Sequence, residues 1–163
     1  MSIHHEALLL TLAAAVSFSC GSGRGTPVDA DAARRDEPCE TDPAAFATTV
    51  YGTALSQGLD GVQARHAPER ELFAQMLGER LSVEELGYLW DAHRSDLRSG
   101  VESVRRCDGP ALRITGVDIE KAPTPAIEAY EVRGETTCVD ATEEQLKLKM
   151  MRFRGCLWLG AID

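Results

Sequence analysis

Ser82-Val-Glu-Glu-Leu-Gly-Tyr-Leu-Trp-Asp-Ala-His-Arg-Ser-Asp-Leu-Arg-Ser-Gly-Val-Glu-Ser-Val-Arg-Arg-Cys107, followed by Asp-Gly-Pro110, is where this chain changes from one kind of structure to another. Ser82 and Glu85 have capping-box spacing, in which serine hydroxyl and glutamate carboxylate each satisfy a backbone N–H left over at a helix start. Leu86, Leu89, Trp90, His93, Leu97, Val101 and Val104 then recur at helical spacing and form one apolar stripe. Cys107-Asp-Gly-Pro110 ends the helix, since glycine and proline do not continue one.

Upstream of this stretch the signals are also helical. Asp42-Pro43 starts a first helix, with Asp as cap and Pro preorganised at the first helical position. Phe46, Val50, Ala54 and Leu55 share one face of it up to Gly58, where it is expected to stop. A second, short helix runs from about Pro68 to Leu77 with Leu72, Phe73 and Met76 apolar, and ends at Gly78. Downstream the period changes to two, and four strands are predicted at about 111–119, 127–139, 145–153 and 156–162. Ala122-Pro-Thr-Pro125 separates the first two, and Arg154-Gly155 makes a tight turn before the last. Tyr130, Val132, Thr136 and Cys138 alternate with Glu131, Arg133 and Glu135, so one face of that strand is expected to be wet. Lys147 and Lys149 alternate with Leu146, Leu148 and Met150, and are expected across from those acids. The fold class is therefore α+β, with three N-terminal helices packed on a curved four-stranded antiparallel meander.

The start of the chain reads as an address. Ala7 to Val16 is an apolar run too short to span a bilayer, which needs about 20 residues, and of the length of a signal-peptide core. Ser17-Phe18-Ser19 supplies small residues before a cut that would leave Cys20 at the new N-terminus. This resembles a bacterial lipoprotein, in which that cysteine carries acyl chains, although Ser17 stands where such proteins usually have Leu. The expected organisation is a signal peptide at 1–19, a disordered tether at 20–38 whose one large apolar residue is Val28, and a single domain at 39–163. Cysteine parity agrees: five cysteines cannot all pair within one chain, and an acylated Cys20 leaves Cys39, Cys107, Cys138 and Cys156. The implied location is the bacterial cell envelope, lipid-anchored at the outer membrane or cell surface, with a secreted or periplasmic protein as the alternative.

Charge narrows the partners. The net charge is −9, and loss of residues 1–19 removes one acid, Glu6, and no Lys or Arg, which leaves −8. An acidic chain without a basic run is a poor nucleic-acid binder, and it would reach a membrane through acyl chains on Cys20 rather than through charge.

Helices first, then a meander closing on Phe153-Arg-Gly-Cys-Leu-Trp-Leu-Gly-Ala-Ile-Asp163, resembles the nuclear transport factor 2-like superfamily. The likeness rests on the first helix, Phe46-Ala-Thr-Thr-Val-Tyr-Gly-Thr-Ala-Leu55 with its exit Gln57-Gly-Leu-Asp60, and on the terminal hairpin with its glycine turn and following Trp158. The resemblance implies a sheet that curls around the helices into a cone-like apolar pocket. Some enzymes of that superfamily, ketosteroid isomerase and scytalone dehydratase among them, use Asp, His or Tyr in this cavity. No such set can be matched to positions here.

In a meander, residues just before 111 lie opposite residues near 138, which pairs Cys107 with Cys138 at one end of the sheet. Cys156 would stand about 25 Å from that end at about 3.3 Å per residue, against a limit of about 7 Å between bridged Cα atoms. Cys39 then pairs with Cys156. A zinc site from the same four is not expected, for they contain no Cys-x-x-Cys pair.

Tyr88, Trp90, His93, Tyr130 and Trp158 are the residues that could line a pocket. His93, on the apolar stripe, is the single candidate for acid–base chemistry, and its alternative is a half-buried histidine bonded to a backbone carbonyl. Asp91, Arg94, Asp96 and Arg98 lie off the stripe as a solvated face. His66, before Ala67-Pro68 in a loop, is expected to be exposed. No phosphate loop, His-x-x-x-His pair or nucleophile elbow is present, and no cofactor or metal is implied. The leading expectation is a non-enzymatic envelope binding module for a small apolar ligand or a protein partner. The alternatives are a pocket enzyme of isomerase or dehydratase type using His93, and a structural subunit of an envelope complex.

Overall fold

A computed structural model describes residues 39–78 and 81–163. The leader, Cys20 and the tether lie outside the described residues. Three helices, α1 (Pro43–Arg65), α2 (Arg70–Leu77) and α3 (Val83–Cys107), precede four strands, β1 (Arg113–Glu120), β2 (Glu128–Thr137), β3 (Glu143–Phe153) and β4 (Cys156–Ile162). The starts of α1 and α3 are capped by the residues their sequences name, while that of α2 has no side-chain cap. Asp42 Oδ1 accepts from Ala45 N at 2.7 Å, and Ser82 and Glu85 close the reciprocal box. Among the described residues no helix is long and apolar enough to cross a membrane.

The first helix does not stop at Gly58. There the backbone turns to φ 66°, and the chain then resumes a helical leg to Arg65. A glycine at positive φ suits a stop and a kink equally. What carries the chain on is apolar surface beyond it: Val62 is fully buried and Leu59 packs against the core.

The strands form one antiparallel sheet in the order β1-β2-β3-β4. Register sets the buried face, with Val132 opposite Leu148 and Leu148 opposite Ile162. Onto this face pack Phe46, Val50 and Ala54 of α1 and Leu97, Val101 and Val104 of α3. Burying each Val or Leu contributes about 1.5–3 kcal/mol, so this two-layer contact is the main stabilising one. Gly100 permits the approach of α3 to β4, since a β-carbon there would lie 2.4 Å from the Ile162 Cβ and carbonyl oxygen. Facing the other way, Met151 and Trp158 are cross-strand partners in a second cluster with Met76, Ile127 and Phe153.

Opposite β3, β4 carries one extra residue. Lys149 pairs with Ala161 and Met150 with Leu159, which leaves Gly160 as a bulge. Covalent ties hold both ends: Cys39–Cys156 with Cα atoms 5.3 Å apart, and Cys107–Cys138 at 4.5 Å. Next to the second bridge the buried Tyr51 hydroxyl donates to the Gly109 carbonyl at 2.8 Å, so Thr136 Oγ1 donates to it at 2.9 Å. On the wet face Glu131 stands opposite Lys149, while Lys147 faces Arg133 in the register and reaches Glu131 diagonally at 4.0 Å.

Candidate functional site

A cavity of about 360 Å³ lies where the end of α1, the start of α2 and the middle of α3 meet. Its apolar wall is Pro68, Trp90 and Leu97; Arg70 and Arg94 stand at it together with Glu69 and Glu71. The half-buried Gln63 and the buried His93 add polar groups to the wall, and His93 is only 6% exposed.

Helix and sheet position this imidazole together. The apolar stripe of α3 turns His93 toward β4, and the bulge there offers the Gly160 carbonyl, which lies 2.8 Å from Nδ1. A carbonyl only accepts, so the proton sits on Nδ1 and Nε2 carries the lone pair. Phe73 of α2 stacks on the ring at 4.9 Å between centroids and 19° between planes, with Trp90 at 5.6 Å. Nε2 is shut off from water and has no hydrogen-bond partner. Burial holds the His93 pKa below the ordinary histidine value, an effect partly offset by the Gly160 bond and by the Asp96 carboxylate. The ring is therefore neutral at pH 7.

Of the five pocket candidates, Trp90 and His93 meet at this cavity. Tyr88 is 76% exposed on the outer side of α3. Tyr130 packs at the margin of the main core, donates to Glu128 at 2.6 Å and lies under the Arg152 guanidinium. Trp158 belongs to the second apolar cluster. Arg94, read as part of a solvated face, is exposed but stands at the cavity. Pro68 and Arg70 could not be assigned by periodicity, because they lie on the connection into α2 and its first turn.

His66 corrects an expectation. It is 8% exposed rather than open to solvent. Its ring packs edge-on against Phe46, and its Nε2 lies 2.8 Å from Thr53 Oγ1. The Thr53 hydroxyl already donates to the Thr49 carbonyl, so His66 donates through Nε2, the tautomer opposite to that of His93. The cause is tertiary, for the His66 carbonyl accepts from Leu159 N of β4 and draws the loop inward.

Two other features bear on function. Cys107, Cys138 and Glu144 come close enough to hold a cation, but the two sulfurs are bonded to each other and offer no thiolate. On β1, Val117 and Ile119 stand opposite Val132 and Tyr130 and so share the helix-bearing face, yet they are 44% and 82% exposed. Compared with protein-family models, curated proteins and solved structures, the chain matches none.

Proposed function

We propose that this chain is an exported, lipid-anchored, disulfide-braced binding module that takes a small ligand in the cavity beside Trp90 and His93. The observation that carries the binding part is that cavity, walled by Pro68, Trp90 and Leu97 around one buried imidazole. Apolar walls with a few placed polar groups are the usual make-up of small-molecule sites. The sequence has two tryptophans, so a Trp158→Phe variant leaves Trp90 as sole reporter. A small apolar ring compound such as toluene is expected to shift and quench its emission saturably, and an unresponsive Trp90 overturns the pocket reading. The anchor rests on Cys20 and cysteine parity, and intact mass of the mature protein tests it: acyl chains on Cys20 are expected, and an unmodified Cys20 removes the anchor.

Kinship with the nuclear transport factor 2-like superfamily belongs to the same proposal. The order of helices before a meander supports it; the curvature of the sheet into a cone is part of the proposal, while the cavity lies among the helices and has no strand residue in its wall. The strand pair that the family often places before its third helix is absent among the described residues.

The pocket enzyme is the weaker reading: its His93 is neutral with an unbonded Nε2, but that atom is shut off from solvent, and a general base must reach the proton it takes. It lacks a second chemical group: the hydrogen-bond partner of His93 is a backbone carbonyl, with no carboxylate or tyrosine bonded to it among the described residues.

A further inference from the structure

We infer that α2 is an acid-released flap: when His93 takes up a second proton, Phe73 leaves its ring and α2 separates from α3, while α1, α3 and the sheet stay folded. The trigger is the sealed state of Nε2. His93 already donates through Nδ1 to the Gly160 carbonyl, so a further proton has to go on Nε2. That atom is closed to water and meets no acceptor. A proton placed there creates a buried cation with an unanswered donor, a state that protein interiors hold only at high cost. Neighbouring charge does not relieve it. On α3 the Asp96 carboxylate attracts the imidazolium, but burial outweighs it, and Asp96 also acts on Lys149 of β3. Arg94 of α3 and Glu69, Arg70 and Glu71 at the start of α2 stand at the cavity as exposed groups. From α1 comes the uncharged Gln63, and β4 has no titratable side chain from Leu157 to Ile162.

Relief comes from letting water reach Nε2, and α2 is the part that moves most easily. α3 and β4 share the main core and meet at Gly100 with no room for a methyl. α2 has eight residues, no side-chain cap at its start, no cysteine, and Gly78 at φ 88° at its end. It is held by Phe73 on His93 and Trp90, by Leu72 and Met76 in the second cluster, and by Thr124 Oγ1 donating to the Met76 carbonyl. Short elements with few buried groups open locally while the rest of a fold stays closed. Histidine is the side chain whose ordinary pKa places such an opening near physiological pH. The flap carries Arg70 and Glu71, so its release also opens the cavity wall, whether or not a ligand is bound there.

Hydrogen exchange of the unaltered protein as pH is lowered, corrected for the intrinsic pH dependence of exchange, tests the flap. In the open form His93 has the ordinary histidine pKa of about 6.5, and in the closed form a lower one. Opening is therefore flat above about pH 6.5 and rises about ten-fold per pH unit below it, until the closed value is reached. The amides of Phe73 to Gly78 are expected to lose protection on that slope, and those of Leu97 to Val104 to keep theirs. With Trp158→Phe, Trp90 emission should move to the red over the same range as Phe73 leaves it. His93→Asn keeps a donor for the Gly160 carbonyl, takes up no proton and should make exchange in α2 independent of pH. Should that variant not fold, His93→Phe keeps a ring against Phe73 and makes the same test. Flat exchange of α2 in the unaltered protein, equal loss of protection in α2 and α3, or a slope that survives the loss of His93 each overturns the flap.

Discussion

At one edge of the sheet, β4 is closed in. Leu157 N and Leu159 N donate to the Glu40 and His66 carbonyls, α3 comes close enough to need Gly100, and Cys156 ties the strand to Cys39. At the other edge, β1 has no comparable backbone bonds on its outer side among the described residues, and Val117 and Ile119 of its helix-facing side are left uncovered. The difference lies in the reach of the helical layer, which is packed over β4 and thins toward β1. The cavity forms on the covered side, where three helices converge and the β4 bulge holds His93 from behind. The bare edge is managed otherwise, by a bulge near Thr115 and by ion pairs from Arg113 to Glu135 and from Arg133 to Asp118, devices that discourage further strand pairing.

The largest expected effect tests the covalent side of this contrast. Cys39→Ser with Cys156→Ser opens a link across 117 residues and is expected to lower stability by about 5 kcal/mol. The corresponding pair at Cys107 and Cys138, separated by 31 residues, should lose about 3–4 kcal/mol. Urea midpoints of the two double variants give the order, and a reversal would mean that the bridge at β4 is not the stronger brace. Next comes Gly100→Ala, which places a methyl against Ile162 and should cost about 1–3 kcal/mol through overpacking. A neutral result in thermal melts would mean that α3 does not press on β4 as described.

A smaller effect depends on pH. The folded His93 pKa lies below its unfolded value of about 6.5, so the unfolded chain takes up the proton first as pH falls. Stability from the neutral imidazole is therefore complete above about pH 6.5 and is lost as pH drops through the lower folded value. Denaturant unfolding across that range should show a slope that is reduced in His93→Asn, and an unchanged slope would place the titration elsewhere. The smallest effect belongs to the bare edge. Ile119→Thr is expected to change stability by no more than about 0.5 kcal/mol, and a loss as large as that of Gly100→Ala would mean that β1 is covered in solution.

Much of this arrangement is legible in the residues. Ser82 and Glu85, the stripe from Leu86 to Val104 and the alternation in β2 and β3 carry local signals strong enough to place α3 and the sheet. The cysteine pairing follows from strand order once a meander is read. Tyr88 was also within reach: it is two residues from both Leu86 and Trp90, about 200° around the helix from each, and so on the outer face. The rest is tertiary. Nothing near Gly58 distinguishes a kink from a stop, because Val62 is buried by partners distant in sequence. His66 is drawn inward by β4, and Pro68 and Arg70 reach the cavity through the path of a connection that has no period to read.

The extra residue in β4 works as a phase shift. Leu159 and Ile162 are three apart, an odd interval that in a regular strand would put them on opposite faces, and yet both enter the core. Removing the residue at position 160 would leave Leu159 and Ile162 two apart, so an unbroken ladder would keep both on the core face and would lose the bulge carbonyl that accepts from His93. The extra residue is thus not needed to bury Ile162; what it adds is a carbonyl outside the ladder, free to hold the imidazole of a facing helix.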